Sequence, residues 1–247
     1  MITQYHRPKT LEEALELLAQ PQTHPLGGGT LLTQYSAESF SVVDLQALGL
    51  DKLRKFGDVL EIGATATLQT LLESAYAAKA LQAAVELEAP LNLRDMGTVA
   101  GALVTCDGRS PFCTVLLALD AKMTLAPGQE HITLGNYLPA RVQANGPHPL
   151  ITKIEIPLNV KLAFETIART PSDKPIVCAA LAQWPSGRTR LALGGYGQSP
   201  ALALDGNEPN DLEAAARNAF AEAGDEWASK EYRREMAAVL AKRCQEK

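Results

Sequence analysis

The chain has 247 residues, of which 46% are hydrophobic and 21% are charged, and its net charge is −5; this length is enough to bury the cores of two or three compact units. The acidic balance argues against a nucleic-acid or anionic-membrane partner, and no apolar run reaches the roughly 18 residues of a membrane-spanning helix. The N-terminus, Met1 to Pro8, lacks the apolar stretch of a signal peptide, so we expect a cytoplasmic location.

A capping box predicts the first helix. Thr10 is followed three residues later by Glu13 and then by leucines at helical spacing, so the helix should follow Thr10 and stop by Pro21. Three consecutive glycines, Gly27 to Gly29, come next, and the apolar run 41–45 predicts a buried strand. These elements indicate a small α/β unit that ends in the charged stretch up to residue 55.

The middle of the chain predicts further helices and strands. The predicted elements are a strand and turn over 59–67, a long alanine- and leucine-rich helix over 68–88, and strands over 116–124 and 151–156. Pro90 interrupts the helical stretch. Residues 96–104 combine small and β-branched side chains, which indicates that another group approaches their backbone closely.

The last third predicts a sheet with helices on one face. Three β-like runs, around 163–167, 176–184 and 188–194, are separated by proline and glycine and predict an antiparallel meander. The tail from 211 to 245 is charged and alanine-rich with helical periodicity, and Pro209-Asn210-Asp211 supplies a cap.

Two glycine-containing segments are the first candidates for a binding site. Without Cβ atoms, the turn Gly27 to Gly29 lets backbone N–H groups converge on an anion such as a pyrophosphate. It matches neither the Rossmann nor the Walker pattern, and alone it suits an ordinary tight turn equally well. The second segment, Gly97 to Gly101, alone suits a helix-to-strand corner. Together, on apolar segments about seventy residues apart, they predict a cleft between two subdomains that suits a dinucleotide.

Motifs along nearly the whole chain point to one family. They are Tyr5-His6-Arg7-Pro8 with Leu11-Glu12-Glu13-Ala14, Gly27-Gly28-Gly29-Thr30, Ile62-Gly63-Ala64-x-x-Thr67-Leu68, Arg94-Asp95-Met96-Gly97-Thr98-Val99-Ala100-Gly101, Leu116-Leu117-Ala118-Leu119-Asp120-Ala121, Ile154-Glu155-Ile156-Pro157 and Tyr232-Arg233-Arg234. In this order and spacing they resemble the FAD-binding medium subunit of molybdopterin dehydrogenases, the xanthine dehydrogenase and carbon monoxide dehydrogenase flavoprotein family.

The resemblance implies an α+β fold. A PCMH-type, vanillyl-alcohol-oxidase-like FAD-binding module would consist of two subdomains, 1–55 and 56–158, followed by a C-terminal domain of antiparallel sheet and helices, 159–247. FAD would lie between the two subdomains. In such enzymes a large subunit carries a molybdenum cofactor and a small subunit carries two [2Fe-2S] clusters. The flavin subunit passes electrons to NAD+, a quinone or another acceptor.

The resemblance also implies a set of cofactor-binding residues. Gly27, Gly28, Gly29 and Thr30 would bind the pyrophosphate through backbone N–H groups, flanked by Leu26 and Leu31, while Thr98, Gly101, Thr105, Asp107 and Ile151 would face the cofactor from the second subdomain. No catalytic base, nucleophile or metal ligand is implied.

The chain departs from the family pattern at three places. Many relatives read TIGGN where this chain has Ala102 in place of the asparagine, and an acidic position is occupied by Pro111. A lysine common after the Ile-Glu-Ile-Pro strand has no equivalent around 164–166. Each lost hydrogen bond would cost about 0.5–1.5 kcal/mol of binding free energy, so we expect labile or differently held FAD. Alternatively, Arg109 binds a phosphate and Asp107 a hydroxyl of the ligand; an ordinary solvated turn has the same composition.

The remaining special residues favour structural roles. Cys106 and Cys113 have apolar or neutral neighbours apart from Asp107, which would raise a thiol pKa, so small buried residues are favoured over redox chemistry. The cysteines form no iron–sulfur ligand set, and any such cluster should reside on another polypeptide. The four histidines, His6, His24, His131 and His148, lack zinc-ligand spacing. Packing is the favoured role of Trp184 and Trp227.

Three functions are compatible with these residues. The first is an FAD-dependent electron-transfer subunit that acts with iron–sulfur and molybdenum subunits. The second is a scaffold that keeps the fold and assembles the complex without the cofactor, which the substitutions at Ala102 and Pro111 motivate. The third, a free-standing flavoprotein oxidase or reductase, is disfavoured because no candidate base and no flavin-linking histidine near Gly27 is present.

Overall fold

The computed structural model describes residues 1–34, 38–143, 149–207 and 211–247. Three residues discussed above, His148, Pro209 and Asn210, lie outside these ranges. The helices are α1 (Leu11–Leu18), α2 (Leu68–Leu72), α3 (Lys79–Glu88), α4 (Leu91–Arg94), α5 (Val99–Thr105), α6 (Pro111–Ala118), α7 (Leu134–Gln143), α8 (Leu212–Ala219) and α9 (Lys230–Gln245). The strands are β1 (Ile2–His6), β2 (Thr23–Leu26), β3 (Phe40–Asp44), β4 (Leu53–Phe56), β5 (Val59–Gly63), β6 (Lys122–Ala126), β7 (Glu130–Thr133), β8 (Leu150–Pro157), β9 (Lys161–Ile167), β10 (Val177–Gln183), β11 (Thr189–Gly194) and β12 (Ala201–Gly206).

The first sheet is small and parallel. Its strand order is β1-β3-β2, and α1 packs beside it. One half of the predicted capping box is present, because the Thr10 hydroxyl accepts a hydrogen bond from the Glu13 N–H. In the other half, the Glu13 carboxylate accepts a hydrogen bond from the Lys9 N–H instead of the Thr10 N–H. The sequence did not predict β1, because its three central side chains are exposed and it shows no apolar alternation.

The second sheet is antiparallel and has five strands in the order β4-β5-β8-β6-β7. Its core includes Leu60, Ile62 and Ile154, together with residues of α2, α3, α5 and α6. The predicted strand at 151–156 is confirmed as part of β8. The three sheets occur along the chain in the order of the three predicted domains, 1–55, 56–158 and 159–247. The strand β4 spans the predicted boundary between residues 55 and 56. The domain boundaries stay predictions.

The predicted long helix over 68–88 is wrong, because the chain forms two helices, α2 and α3. A turn separates them, in which the Ser74 hydroxyl accepts a hydrogen bond from Tyr76 N. The Gln82 side-chain amide then donates to the carbonyl of Leu72 at the end of α2. Serine and glutamine contacts of this kind satisfy helix ends locally and overcome the helical propensity of the neighbouring alanines and leucines.

The predicted strand over 116–124 is also wrong. Residues 111–118 form α6, and the strand β6 begins only at Lys122. Ser110 caps α6 through its hydroxyl, and Pro111 occupies the first turn, which are typical helix-start features. All eight residues of α6 are buried, so the sequence shows no amphipathic period from which a helix could be distinguished from a buried strand.

The third sheet is an antiparallel meander in the order β12-β11-β10-β9. It has one strand more than the sequence predicted, since β12 was not anticipated. Alternate residues of β10 face two cores: Ala180 packs with α6 of the central core, and Leu181 packs with α8 and α9 on the opposite face. Arg233 of α9 is fully buried and donates to the carbonyl oxygen of Ile176. The helices α8 and α9 confirm the predicted helical tail.

Candidate functional site

A cleft of about 1290 Å³ is lined by residues from all three sheet-containing parts of the chain. One side is formed by the end of α1, by β2 and by the glycine turn that follows it, and the other by α5, β8 and the segment between β5 and α2. Lys174 reaches the cleft from the loop between β9 and β10. A cleft of this size between packed units is typical of a site for an extended ligand.

The glycine turn lies directly against the second glycine segment. A Cβ atom on Gly28 would lie 1.7 Å from the carbonyl oxygen of Met96, and one on Gly27 would lie 2.8 Å from the Thr98 hydroxyl oxygen. Gly29 has a φ of 70°, which L-residues with side chains rarely adopt. Glycine is therefore needed here both for the close approach of two backbones and for the turn itself.

The backbone of the glycine turn offers free donors. Within the described ranges, the N–H groups of Gly27, Gly28, Gly29 and Thr30 donate no hydrogen bond to a protein acceptor. The turn closes instead through Thr33, whose N–H and hydroxyl both donate to the Gly29 carbonyl. Unpaired N–H groups at a turn without Cβ atoms form a cradle for an anion such as a pyrophosphate.

Thr98 joins the two glycine segments. It begins α5, where its hydroxyl accepts a hydrogen bond from Gly101 N at 3.1 Å. The Leu68 N–H donates to the Gly97 carbonyl at 2.9 Å and the Val99 N–H to the Ala66 carbonyl at 2.8 Å. The start of α5 is thereby fixed against the segment after β5, so that its first turn faces the cleft.

The structure brings the sequence-predicted residues together. The cleft is lined by every one of them except Leu26, namely by Gly27, Gly28, Gly29, Thr30, Leu31, Thr98, Gly101, Thr105, Asp107 and Ile151. Leu26 ends β2, and its carbonyl accepts a hydrogen bond from Leu45 N. Ile151 is buried in β8, whereas Leu31 is half-exposed.

Thr65 was not predicted from the sequence and lies inside the cleft. Thr65 is 7% exposed, and its hydroxyl has no hydrogen-bond partner in the part of the chain that the structure describes. A buried hydroxyl without a partner costs free energy that a ligand atom can recover. Together with the glycine cradle, this orphaned hydroxyl shows that the cleft fits a polar, extended cofactor such as FAD.

The alternative in which Arg109 binds a phosphate is wrong for this structure. Its guanidinium donates to the carbonyls of Pro175 and Lys174 and stacks on the ring of Trp227 at 4.9 Å, and Arg109 is not among the residues that line the cleft. Asp107 does line it, and its carboxylate pairs with the Lys174 ammonium group at 3.0 Å. Lys174 thus supplies the cleft with a cation from a loop that the sequence did not single out.

Glu88, which the sequence did not single out, lies at the start of α6, next to Pro111. Its carboxyl oxygen accepts hydrogen bonds from Ser110 Oγ at 2.7 Å and from Phe112 N at 3.1 Å, at the start of α6. Burial raises the pKa of the Glu88 carboxyl group, although these two hydrogen bonds and Lys174 act in the opposite direction. Pro111 itself is buried in α6, and Glu88, from the end of α3, lines the cleft instead.

These additional residues carry no recognisable signal in the sequence. Glu88 ends a helix whose spacing suggests an exposed acid, and Lys174 stands in a polar turn before Pro175. Only Thr65 belongs to a family motif, where it falls on a position that the motif leaves open. Both Glu88 and Lys174 reach the cleft through tertiary packing. Glu88 is placed there by the packing of α3 on α6, and Lys174 by the position of the loop before β10.

Comparison with known proteins decides the family. The family described as "FAD binding domain in molybdopterin dehydrogenase" matches residues 1–159. The chain belongs to this family. FAD is the cofactor of the family, and the chain is thus an oxidoreductase-family subunit of the molybdenum hydroxylase type, as the sequence motifs predicted.

Individual relatives extend the likeness over the whole chain. The uncharacterized protein YgfM of Escherichia coli K12 is 31% identical over 97% of this chain and 94% of its own length. The carbon monoxide dehydrogenase medium chain of Afipia carboxidovorans is 28% identical over 98% of this chain and 95% of its own length. A crystal structure of Cu,Mo-CO dehydrogenase superposes with a TM-score of 0.81 at 26% identity, covering 100% of this chain and 97% of that one. The α+β fold predicted from the sequence is confirmed.

The described residues include no helix with both the length and the apolar character required to cross a bilayer.

Proposed function

We propose that this chain is the FAD-carrying subunit of a xanthine dehydrogenase-type molybdenum hydroxylase complex. In this role it passes electrons between the [2Fe-2S] clusters of a small partner subunit and an external acceptor, such as NAD+ or a quinone. The observation that carries the proposal is the convergence of the Gly27–Thr30 turn and the Thr98–Gly101 turn of α5 on one cleft.

The residues of the cleft would hold FAD as follows. The free N–H groups of Gly27, Gly28, Gly29 and Thr30 would donate to the pyrophosphate, and Leu26 and Leu31 would flank this turn. Thr98, Gly101, Thr105, Asp107 and Ile151 would contact the cofactor from the opposite side. When bound, FAD supplies the redox chemistry through its isoalloxazine ring, while the protein supplies position and electrostatics.

The partner subunits are inferred from the relatives. A chain named a carbon monoxide dehydrogenase medium chain matches this one almost end to end, which supports assembly with a large molybdenum-cofactor subunit and a small iron–sulfur subunit. The cysteines of this chain support clusters on another polypeptide, since Cys106 and Cys113 form a pair and Cys178 and Cys244 are buried elsewhere. We further propose that the complex works in the cytoplasm.

Reconstitution with FAD tests the cofactor. The purified full-length chain is titrated with FAD while flavin fluorescence and absorption are followed. We expect saturable, one-to-one binding with perturbed flavin bands. Absence of binding at excess FAD would overturn the proposal.

Electron transfer is tested separately, by adding reduced iron–sulfur partner subunit to the FAD-loaded chain under anaerobic conditions. Bleaching of the flavin absorption is expected. NADH oxidation by the isolated chain with an artificial dye, at the rate of the complex, would favour a free-standing flavoprotein instead.

The scaffold function rests on one specific observation. Ala102 lines the cleft with a methyl group, where the family pattern implies an amide that would hydrogen-bond the cofactor. A scaffold would assemble with the partner subunits but bind no FAD. Tight, one-to-one binding of FAD by the purified chain would rule out the scaffold function.

A further inference from the structure

Two thiols meet in the wall of the cleft. Cys106 follows the last residue of α5, Cys113 lies in the first turn of α6, and their sulfur atoms form a hydrogen bond at 3.2 Å. Both are free cysteines. A disulfide bond has a length of about 2.05 Å, so the two sulfur atoms would need to approach each other by only about 1.1 Å.

A guanidinium group is fixed beside one of these sulfurs. Arg141 of α7 places Nη1 3.2 Å from Cys106 Sγ. The same side chain donates to the carbonyls of Leu103 and Val104, both at 2.8 Å, and of Cys106 at 2.9 Å. These carbonyls belong to the end of α5, where helix carbonyls lack intrahelical partners. Arg141 therefore closes the helix and brings a permanent positive charge to the Cys106 sulfur.

The sequence expectation for Cys106 is thereby reversed. From the neighbouring Asp107 alone, its pKa should rise. The hydrogen bond with Cys113 and the Arg141 guanidinium instead hold the pKa of the Cys106 thiol below its usual value, against the opposing effects of burial and of Glu88. The same hydrogen bond and burial raise the pKa of Cys113. Of the two thiols, Cys106 is thus the one that loses its proton at the lower pH.

Access to the two sulfurs is unequal. Cys106 lines the cleft and is 8% exposed, whereas Cys113 is 0% exposed. Cys178 and Cys244 are also buried, and burial raises the pKa of each to about 12. A small oxidant in the cleft would therefore reach the Cys106 sulfur before the sulfur of Cys113, Cys178 or Cys244.

We propose that Cys106 and Cys113 are a two-thiol oxidation site, at which a hydroperoxide oxidises Cys106 and Cys113 resolves the product to an intramolecular disulfide. The Cys106 thiolate attacks the peroxide, so that an S–O bond forms, the O–O bond breaks and the second oxygen leaves as hydroxide or alkoxide. Cys106 becomes a sulfenic acid and the peroxide is reduced by two electrons. The Cys113 sulfur then attacks the Cys106 sulfur. The S–S bond forms, the S–O bond breaks, and hydroxide leaves with the Cys113 proton as water.

The disulfide would also change the cleft. Thr105, Cys106 and Asp107 are consecutive lining residues, and drawing Cys106 toward α6 would move this wall. That consequence rests on the proposed function, because it links the redox state of the pair to FAD binding. The oxidation itself requires no cofactor.

Peptide mapping tests the disulfide directly. The full-length chain is treated with one equivalent of hydrogen peroxide, unfolded, alkylated and digested with trypsin, which separates the two cysteines by cleavage after Arg109. We expect a linked pair of peptides that contain Cys106 and Cys113, with Cys178 and Cys244 still alkylated. Oxidation of all four cysteines to the same extent, or retention of both free thiols, would overturn the proposal.

Two variants assign the roles. In Cys113→Ser, oxidation should stop at a Cys106 sulfenic acid that dimedone traps. Arg141→Gln should slow alkylation of Cys106 by iodoacetamide at neutral pH several-fold, because a higher pKa leaves a smaller fraction of Cys106 as the reactive thiolate. If Arg141→Gln does not fold, the pH profile of Cys106 alkylation in the natural chain serves instead, with its midpoint expected below that of an ordinary thiol. A midpoint at or above the ordinary value would contradict the role of Arg141.

Repeating the peroxide reaction with FAD separates this inference from the proposed function. FAD in the cleft should slow oxidation of Cys106 several-fold. If the disulfide forms but the chain binds no FAD, only the proposed function fails. If FAD binds and no disulfide forms, only the oxidation site fails.

Discussion

The two sides of the cleft are built on different physical principles. On the side of the glycine turn, two backbones approach so closely that Gly28 has no room for a Cβ atom beside Met96. On the opposite side, charged side chains make contacts between separate elements. The Glu88 carboxyl group, at the end of α3, accepts a hydrogen bond from the start of α6, and the Lys174 ammonium group pairs with the Asp107 carboxylate. The first side depends on the absence of side chains, whereas the second depends on side chains brought from distant positions.

This difference explains which side can vary. The backbone cradle tolerates no side chain at Gly28, because its Cβ atom would collide with the Met96 backbone, which cannot move independently. Polar contacts from side chains can be replaced by others with similar reach. Glu88 is one such side chain, since it reaches the start of α6 from the end of α3.

Gly28→Ala should have the largest effect. Its Cβ atom would lie 1.7 Å from the Met96 carbonyl oxygen, so the two segments must separate. We expect a loss of stability of about 1–3 kcal/mol and a fall in FAD affinity of about 100-fold, which corresponds to about 2.8 kcal/mol. Thermal unfolding and FAD fluorescence titration measure the two effects.

Gly206→Ala is the matched control, since no atom of the described residues lies within 4 Å of its added Cβ. It should leave FAD affinity unchanged. Equal affinity in Gly28→Ala and the natural chain would show that the glycine turn is not the cofactor cradle.

Thr65→Val should give two effects of opposite sign. The substitution removes a buried hydroxyl without a partner, so the free energy of unfolding of the cofactor-free chain should rise by about 1 kcal/mol. FAD affinity should fall about fivefold to tenfold, because a net hydrogen bond is worth about 1 kcal/mol. Denaturant unfolding and FAD titration on the same variant separate the two.

Thr166→Val provides the comparison for Thr65. Thr166 also has a buried hydroxyl without a partner, in β9, and does not line the cleft. Its substitution should raise stability and leave FAD affinity unchanged. The same loss of affinity in both variants would remove Thr65 from the site.

Ala102→Asn should strengthen cofactor binding. It introduces the amide that the family pattern implies, and one added hydrogen bond of about 0.5–1.5 kcal/mol corresponds to a gain of about twofold to tenfold in FAD affinity. Ala102→Leu, of similar size without the amide, should bring no gain. Equal or weaker FAD binding by the asparagine variant would mean that other residues already hydrogen-bond that part of the cofactor.

Glu88→Gln should have the smallest effect, seen in the pH dependence of stability. Because the pKa of Glu88 is raised in the folded chain above its ordinary 4.5, the folded state is favoured when this group is protonated, and that contribution is lost as pH rises through the raised pKa. Relative to the natural chain, Glu88→Gln should therefore gain stability as pH increases from about 4.5. Urea unfolding of both proteins over a pH series tests this, and a constant difference would show that Glu88 keeps an ordinary pKa.

The sequence alone determined the family, the α+β class, the two glycine segments and ten of the residues that line the cleft. Several of these features depend on local requirements: Gly29 needs a positive φ, and Thr10 and Glu13 form a capping motif within four residues. Such requirements leave a pattern that can be recognised in neighbouring residues.

Only the tertiary structure decided the remainder. The buried helix α6 has no polar face and therefore no readable period, and the edge strand β1 has no apolar alternation. The partners of Cys106 and Asp107 are Arg141 and Lys174, 35 and 67 residues further along the chain. Because the charge near a thiol or a carboxylate is set by such distant contacts, the sequence assigned Cys106 the wrong pKa shift, and the folded chain places it beside a guanidinium group in the wall of the cleft.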